Sequence, residues 1–222
     1  MKALVHIKRF NPAVDREPYL QTFEYDFEQY MTVLDVLGQI AAKQEPSLCF
    51  MYCCRSGHCG LCAVMVNGKP YLTCRKMAEP DMRLEPLASF PVKRDLLTDR
   101  QGHEEAVKKM HLFLERETVP EEGIEAIDMS RYPQFLAASR CVECLCCTAG
   151  CPVWRKNPYA FAGPTAFTLA ARLFYDSRDT HKRALMCLGA GMEKCTRCGL
   201  CSSLCPQNAN PAASIADMLT AL

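Results

Sequence analysis

The apolar residues of the first hundred positions follow two different spacings. Lys2–Phe10 and Tyr19–Phe27 alternate polar and apolar residues, and this period of two predicts two β-strands. Thr32 then precedes apolar residues at helical spacing, which predicts a helix capped by the Thr32 side chain. The residues expected on the buried side of this helix are Val33, Val36, Leu37 and Ile40.

A hairpin signal follows the predicted helix. Asn67-Gly68 separates the apolar runs 63–66 and 71–73, and this dipeptide favours a two-residue turn between antiparallel strands. Met82–Leu87 is a predicted last strand. Two strands, a helix and further strands, in this order, are typical of a β-grasp domain.

Helical periodicity dominates the rest of the chain. His103–Glu117 carries an apolar stripe, and Thr165–Tyr175 and Ala212–Leu222 are further predicted helices. No strand periodicity follows the hairpin region, and Ala88–Arg100 is expected to be a connector. The second half is therefore predicted to be all-α.

Two cysteine runs in this helical half share one spacing. They begin at Cys141 and Cys195, and each is C-x2-C-x2-C-x3-C-P, as in bacterial two-cluster ferredoxins. Three thiolates two residues apart reach one cluster, whereas the fourth Cys of each run ligates the other cluster. The predicted ligands are Cys141, Cys144, Cys147 and Cys205 for one 4Fe–4S cluster, and Cys151, Cys195, Cys198 and Cys201 for the other. A zinc site is the alternative, but it leaves the third Cys, the fourth Cys and the Pro of each run unexplained.

A third cysteine pattern lies in the N-terminal half, and its predicted 2Fe–2S ligands are Cys54, Cys59, Cys62 and Cys74. Their spacing, C-x4-C-x2-C-x11-C, is the plant-type 2Fe–2S pattern apart from the variable last gap. Gly57 and Gly60 allow the loop to curl with its amides toward the sulfurs. Rieske centres use two His, but only His58 is present and four Cys already complete the site, so we expect His58 to be an exposed loop residue.

The remaining cysteines are expected to be small buried hydrophobic residues, and they are Cys49, Cys53, Cys146 and Cys187. Charges throughout Lys2–Phe10 leave no apolar signal-peptide core, so the 16 cysteines are interpreted as reduced ligands in a reducing compartment. The formal net charge of +1 argues against nucleic-acid binding. The uncharged stretch 157–171 is interrupted by Pro158, Gly163 and Pro164, and it is too short and too broken to span a bilayer. We therefore expect a cytoplasmic chain that reaches a membrane only through partner subunits.

These patterns together predict an α+β fold with two domains. Residues 1–98 form a β-grasp, plant-type 2Fe–2S ferredoxin domain with its linker, and residues 99–222 form an all-α domain similar to two-cluster bacterial ferredoxins.

Short motifs accompany the cysteines in the linker and after the first run. They are Pro86-Leu87, Phe90-Pro91-Val92, Arg94-Asp95-Leu96, Asn157-Pro158, Gly163-Pro164 and Tyr175-Asp176-Ser177-Arg178-Asp179. With them, the chain resembles the iron–sulfur subunit of succinate dehydrogenase and fumarate reductase over almost its whole length.

The resemblance implies an electron relay. In that family a separate flavoprotein with covalent FAD interconverts succinate and fumarate, and its flavin faces the 2Fe–2S loop. Electrons then cross three clusters toward a quinone-reactive membrane subunit. The chain would be the iron–sulfur subunit of such an oxidoreductase complex, with no catalytic residue or substrate site of its own. Its expected cofactors are one 2Fe–2S and two 4Fe–4S clusters, and its expected partners are the flavoprotein and a further redox subunit.

The departures from the family concern the last cluster. Most members have no Cys at the position of Cys198 and hold a 3Fe–4S cluster there, so Cys198 restores a fourth ligand. The family's quinone pocket uses two Trp and one His, which are replaced here by Arg155, Lys156 and Thr196. Trp154 is expected to serve packing instead. Family members with a 4Fe–4S third cluster often pass electrons to a cysteine-rich subunit, and we expect such a partner here.

A basic patch is expected beside this third cluster, and it consists of Arg155, Lys156, Lys194 and Arg197. Two alternative functions remain open from the sequence. One is a freestanding ferredoxin-like electron carrier, and the other is the same relay serving a different flavoprotein.

Overall fold

The computed structural model describes residues 1–117, 123, 125, 127–158 and 160–222. Backbone contacts divide the chain into two compact units. The first unit contains Met1–Arg100 and Val142–Gly150, and the second contains Gln101–Cys141 and Cys151–Leu222. The domain division between residues 98 and 99 stays a prediction. Residues 118–123 contain Pro120 and are predicted from the sequence to form a loop, and all of them except Gly123 lie outside the described residues.

A five-stranded sheet forms the scaffold of the first unit. Its strands are β1 (Lys2–Arg9), β2 (Tyr19–Asp26), β3 (Ala63–Val66), β4 (Lys69–Leu72) and β5 (Asp81–Glu85), in the order β2-β1-β5-β3-β4. Strand β1 pairs antiparallel with β2 and parallel with β5, while β3 pairs antiparallel with β4 and β5. The helix that follows β2, α1 (Val33–Lys43), buries its apolar side in the core that this sheet also lines. The predicted β-grasp domain is confirmed.

Local signals in the sequence account for these elements. The Thr32 hydroxyl accepts the backbone N–H of Asp35 at 3.2 Å, and the Asp35 carboxylate accepts the backbone N–H of Thr32 at 2.8 Å, which is a complete capping box. Asn67 and Gly68 adopt φ angles of 48° and 78°, the left-handed pair that a tight hairpin requires. All four residues predicted for the buried side of α1 are fully buried.

The linker differs from the prediction. Two short antiparallel strands, β6 (Val92–Arg94) and β7 (Leu97–Thr98), replace the expected connector. Their turn contains Asp95 at φ 47°, and its buried carboxylate accepts the Phe10 backbone N–H at 3.0 Å. Strands of two and three residues are too short to show a sequence period, so the pattern of the chain could not reveal them.

The predicted helix over His103–Glu117 is too long. The observed helix α2 spans Gln101–Lys109, and His111 has a left-handed φ of 45°. The buried Arg183 side chain donates to the carbonyls of His111 at 2.8 Å and Phe113 at 2.7 Å. These tertiary hydrogen bonds satisfy the backbone beyond α2 and hold it in a non-helical path.

Short and medium helices are the main elements of the described chain after α2. They are α3 (Tyr132–Ser139), α4 (Cys146–Ala149), α5 (Pro152–Lys156), α6 (Gly163–Phe174), α7 (Arg183–Gly189), α8 (Leu200–Ser203) and α9 (Pro211–Thr220). Helix α6 is buried along most of its length and packs against α3, α7 and α9, whereas α4 packs against β4 of the first unit. The predicted helical second half is confirmed. Within the residues that the structure describes, no helix has the length and apolar character needed to cross a membrane.

Candidate iron–sulfur sites

The first predicted ligand, Cys54, lies in a loop whose amides point at its sulfur. Cys54 Sγ accepts the backbone N–H of His58 at 3.2 Å, of Cys59 at 3.3 Å and of Ser56 at 3.5 Å. Hydrogen bonding from Ser56, reinforced by Cys59, lowers the pKa of Cys54 to about 5. The loop therefore favours the thiolate, which is the form that binds metal.

Two other predicted 2Fe–2S ligands, Cys62 and Cys74, form a buried pair of sulfurs. Cys62 Sγ and Cys74 Sγ are 3.3 Å apart, and both residues are buried. Burial, followed by the hydrogen bond with Cys62, raises the pKa of Cys74 to about 12. Two thiolates this close need a cationic centre to offset their repulsion and desolvation, as the irons of a cluster do. The donor set thus fits a 2Fe–2S cluster.

Gly60 brings this loop against the segment that carries Cys144. The φ of Gly60 is 69°, and a Cβ built on it would lie 2.1 Å from the carbonyl oxygen of Val142 and 3.0 Å from the backbone nitrogen of Cys144. No side chain fits such an approach. The loops of two different cysteine patterns are therefore in direct contact within the first unit.

The predicted ligands of the first 4Fe–4S cluster do not all belong to one compact unit. Cys144 and Cys147 belong to the first unit and are buried, whereas Cys141 and Cys205 belong to the second. Glu143 has a left-handed φ of 51°, which curls the backbone beside Cys144. Hydrogen bonding from Cys146, together with the charge of Arg100, lowers the pKa of Cys144 to about 7.

The third predicted set converges on one cavity of about 120 Å³ within the second unit. All four predicted ligands line it, and they are Cys151, Cys195, Cys198 and Cys201. Since a single water needs only about 10–15 Å³ of comparable volume, the space suits a group of several heavy atoms better than one ion. Among the described residues, no group of three His, Cys, Asp or Glu side chains is arranged so that it could hold a single metal ion. We call this space the third-cluster cavity.

Burial differs among the sulfurs of the third-cluster cavity. Cys151 and Cys201 are buried, Cys195 is half-buried and Cys198 is exposed. Burial is the main cause that raises the pKa of Cys201 to about 11, with a further contribution from the neighbouring Cys195. The lining is mostly apolar and includes Pro164 and Ile215. An exposed Cys198 places one edge of this site at the surface of the second unit.

The cysteines outside the three sets only partly match the prediction. Cys146 and Cys187 are fully buried, and burial raises the pKa of Cys187 to about 12. Cys49 is half-buried, and the prediction for Cys53 is wrong because this side chain is exposed. Cys53 lies in the irregular loop after α1, where no periodicity indicates which side chains face inward.

The other residues singled out in the sequence are found mostly as expected. His58 is exposed, and Trp154 is 5 % exposed in α5. All four residues of the basic patch are exposed, and within the described chain only Arg197 among them lines the third-cluster cavity. The Lys194 ammonium donates to the carbonyl of Ala160 at 2.7 Å.

Comparisons with known proteins identify two iron–sulfur domains in the chain. Residues 4–105 match the model of a 2Fe–2S iron–sulfur cluster binding domain, and residues 137–209 match that of a 4Fe–4S dicluster domain. The chain is similar to the fumarate reductase iron–sulfur subunit of Haemophilus influenzae, with 35% identity over 95% of this chain and 89% of that protein. It is also 34% identical to a fumarate reductase (CoM/CoB) subunit of Methanothermobacter marburgensis, over 98% of this chain and 44% of that longer protein. A chain of the Mycobacterium smegmatis Sdh1 complex in the apo form has the same fold, with a TM-score of 0.87, 24% identity and coverage of 99% and 95%.

The fold and the cysteine sites define an iron–sulfur electron-transfer protein with a 2Fe–2S domain followed by a 4Fe–4S dicluster domain. The chain belongs to the family of iron–sulfur subunits of fumarate reductase and succinate dehydrogenase. It is thus an electron-transfer subunit of this class of oxidoreductase complex.

Proposed function

We propose that the chain holds one 2Fe–2S and two 4Fe–4S clusters through the three sets of four cysteines, and carries electrons between a FAD-containing subunit and a further redox subunit. The observation that carries this proposal is the third-cluster cavity, whose lining includes Cys198. When bound, each cluster accepts and returns single electrons. The chain supplies the thiolates, the amide hydrogen bonds and the nearby charges that set how readily this occurs.

The content of the third site is tested by substituting Cys198. Anaerobically purified protein should give no 3Fe–4S signal in electron paramagnetic resonance, and Cys198→Ser should convert the third cluster to the 3Fe–4S form because one iron loses its thiolate. Cys53→Ser is the matched control, since Cys53 is exposed and outside the three sets. A strong 3Fe–4S signal from intact, undamaged wild-type protein would contradict the assignment of Cys198.

The proposed docking site for the flavoprotein subunit is the loop from Arg55 to Leu61, with the face around it. Arg55 and His58 are exposed, and the Arg55 guanidinium lies 5.2 Å from the centre of the Tyr52 ring. An open groove of about 450 Å³ beside them is lined in part by Phe50, Tyr52, Arg55 and Cys74. A partner that enters this groove would approach the 2Fe–2S ligands closely.

Isolation from the native source tests this partner. We expect the chain to be recovered with a FAD-containing subunit of the dicarboxylate-reducing type. Recovery of the chain with a flavoprotein of a different type would favour the alternative that the same relay serves another substrate. Recovery of the chain alone, stable and fully loaded with clusters, would favour the freestanding carrier.

The exit for electrons is proposed to lie at the third-cluster cavity. The exposed Cys198 and the basic patch support docking of a further protein subunit there. The Trp and His groups that form the family's quinone pocket are replaced in this chain by Arg155, Lys156 and Thr196, which argues against direct transfer to a quinone. The relatives include a fumarate reductase (CoM/CoB) subunit and a succinate dehydrogenase (ubiquinone) iron–sulfur subunit. We propose a cysteine-rich acceptor subunit, and a cytoplasmic location at the membrane through partners stays a prediction.

A further inference from the structure

Arg100 is a charged residue at the end of the linker that the cysteine patterns do not explain. It follows β7, is half-buried, and is the last residue of the N-terminal segment of the first unit. Its Nη2 donates to the carbonyl oxygen of Gly60 at 3.0 Å and to that of Leu61 at 3.4 Å. Its Nη1 donates to the carbonyl oxygen of Glu143 at 3.4 Å.

These three carbonyls belong to two different cysteine loops. Gly60 and Leu61 are the two residues between Cys59 and Cys62, and Glu143 directly precedes Cys144. The planar guanidinium therefore spans the 2Fe–2S loop and the loop of the first 4Fe–4S run. Its fork can hold both loops at once, which a single ammonium could not do with the same geometry.

The contact between the loops is tight at the same place. The approach of Gly60 to Val142 leaves no space for a side chain between them. Arg100 thus lies at a junction where neither loop can shift without moving the other.

The position of the charge also has an electrostatic consequence. Arg100 Nη1 lies 3.4 Å from the carbonyl oxygen of Glu143, the residue directly before the buried Cys144. A fixed positive charge at this place favours the more negative, reduced state of any centre that the Cys144 thiolate holds. Because the cation is half-buried, solvent screens it less than a surface charge.

We propose that Arg100 is a positioning residue that joins the 2Fe–2S loop to the Cys144 loop and raises the reduction potential of the centre held by Cys144. This inference rests on the proposed ligand assignments. Its chemistry is a fixed positive charge that stabilises the added electron, together with a fork of hydrogen bonds that fixes the two loops.

The test compares Arg100→Gln and Arg100→Lys in the cluster-loaded chain by redox titration followed with electron paramagnetic resonance. In Arg100→Gln, the ratio of reduced to oxidised centre at the wild-type midpoint should fall about tenfold, equal to about 59 mV for a one-electron couple. Arg100→Lys keeps the charge and should stay within about twofold of wild type, although its loops are held less firmly. Arg16→Gln removes one exposed charge from the β1–β2 loop of the same unit and should leave the midpoint unchanged.

Several outcomes would overturn the proposal. An unchanged midpoint in Arg100→Gln, with only a loss of stability, would make Arg100 a structural clamp. A fall in Arg100→Lys as large as in Arg100→Gln would remove the role of the charge. If Arg100→Gln fails to retain the centre, the midpoint potential of Arg100→Lys is the test. A ratio of reduced to oxidised centre within about twofold of wild type supports the role of the charge, and a fall of about tenfold overturns it. Absence of the centre from wild-type protein would instead refute the ligand assignment, so the two failures are distinguishable.

Discussion

At the scale of single residues, Asp95 holds together the segments around the linker. Its side chain is 2% exposed and accepts from Arg9 Nε at 2.9 Å, from the Phe10 backbone N–H at 3.0 Å and from the Cys49 backbone N–H at 2.9 Å. Arg9 is buried as well and also donates to Gln21. One carboxylate therefore connects β1, the β6–β7 turn and the chain that leads into the 2Fe–2S loop.

We predict that Asp95→Asn destabilises the protein by about 3 kcal/mol, because the buried Arg9 guanidinium loses its closest counter-charge and keeps only the Glu45 carboxylate, 3.5 Å from its Nη1. Denaturant unfolding of both proteins in the cluster-loaded state would measure the difference. Asp99→Asn is the matched control, since Asp99 pairs with the exposed Lys93 at 3.1 Å and surface pairs contribute less than about 1 kcal/mol. An equal loss of unfolding free energy in Asp95→Asn and Asp99→Asn would show that burial of the Asp95 ion pair does not cause the destabilisation.

At the scale of secondary structure, elements with strong local signals were predictable. Helix α1 carries its own cap, and the hairpin at Asn67-Gly68 follows from backbone sterics. The sequence could not predict the strands β6 and β7 or the end of α2, because long-range hydrogen bonds of Asp95 and Arg183 determine these features. Such contacts leave no periodic trace in the sequence.

The residues of the candidate sites also fall into those that the sequence predicts and those that it does not. Ligand spacing is local chemistry, so the sequence alone predicts three sets of four cysteines as ligands. Arg100 could not, because its partners Gly60 and Glu143 are 40 and 43 positions away. The exposure of Cys53 was missed because it depends on how the loop folds rather than on the hydrophobicity of the residue.

The turn after α6 contains an ion pair with a predictable pH dependence. Arg178 Nε and Nη2 donate to the two carboxylate oxygens of Asp176 at 2.8 Å and 2.7 Å, and Arg178 Nη1 lies 3.2 Å from Glu125. The hydrogen bonds from Arg178 lower the pKa of Asp176 below its ordinary value of 3.8. Because the folded pKa is the lower one, the pair stabilises the protein above the ordinary value, and this contribution is lost as the pH falls through the folded pKa.

We therefore predict that Asp176→Asn is destabilising at neutral pH and that its deficit relative to wild type shrinks as the pH falls from about 5 through the lowered pKa of the Asp176 carboxylate. Denaturant midpoints measured across this range give the deficit directly. Asp81→Asn serves as the control, because the Asp81 side chain is 79% exposed and faces only His6 among the ion pairs described. A deficit for Asp176→Asn that stays constant with pH would exclude the ion pair as its source.

At the scale of the whole molecule, the formal charge is nearly balanced, at +1, while the basic patch concentrates positive charge in two short segments. Arg155 and Lys156 occupy the last turn of α5, which begins directly after Cys151, and Arg197 lines the third-cluster cavity. A patch of one sign on a nearly neutral chain steers an oppositely charged surface to one place, and salt weakens this steering. The charge distribution thus favours an acidic protein surface as the electron acceptor.

We predict that replacing Arg155 and Lys156 together by Ala slows reoxidation of the third cluster by its protein partner about tenfold at low salt. At high salt the wild-type rate should fall toward that of the variant, because screening removes the same steering. Lys108→Ala with Lys109→Ala is the control, since this exposed basic pair ends α2 and lies outside the basic patch. Unchanged rates and salt dependence in the Arg155 and Lys156 variant would rule out docking at the patch. Protection of the third cluster by a quinone analogue, with no further subunit present, would show that electrons leave through a quinone pocket instead.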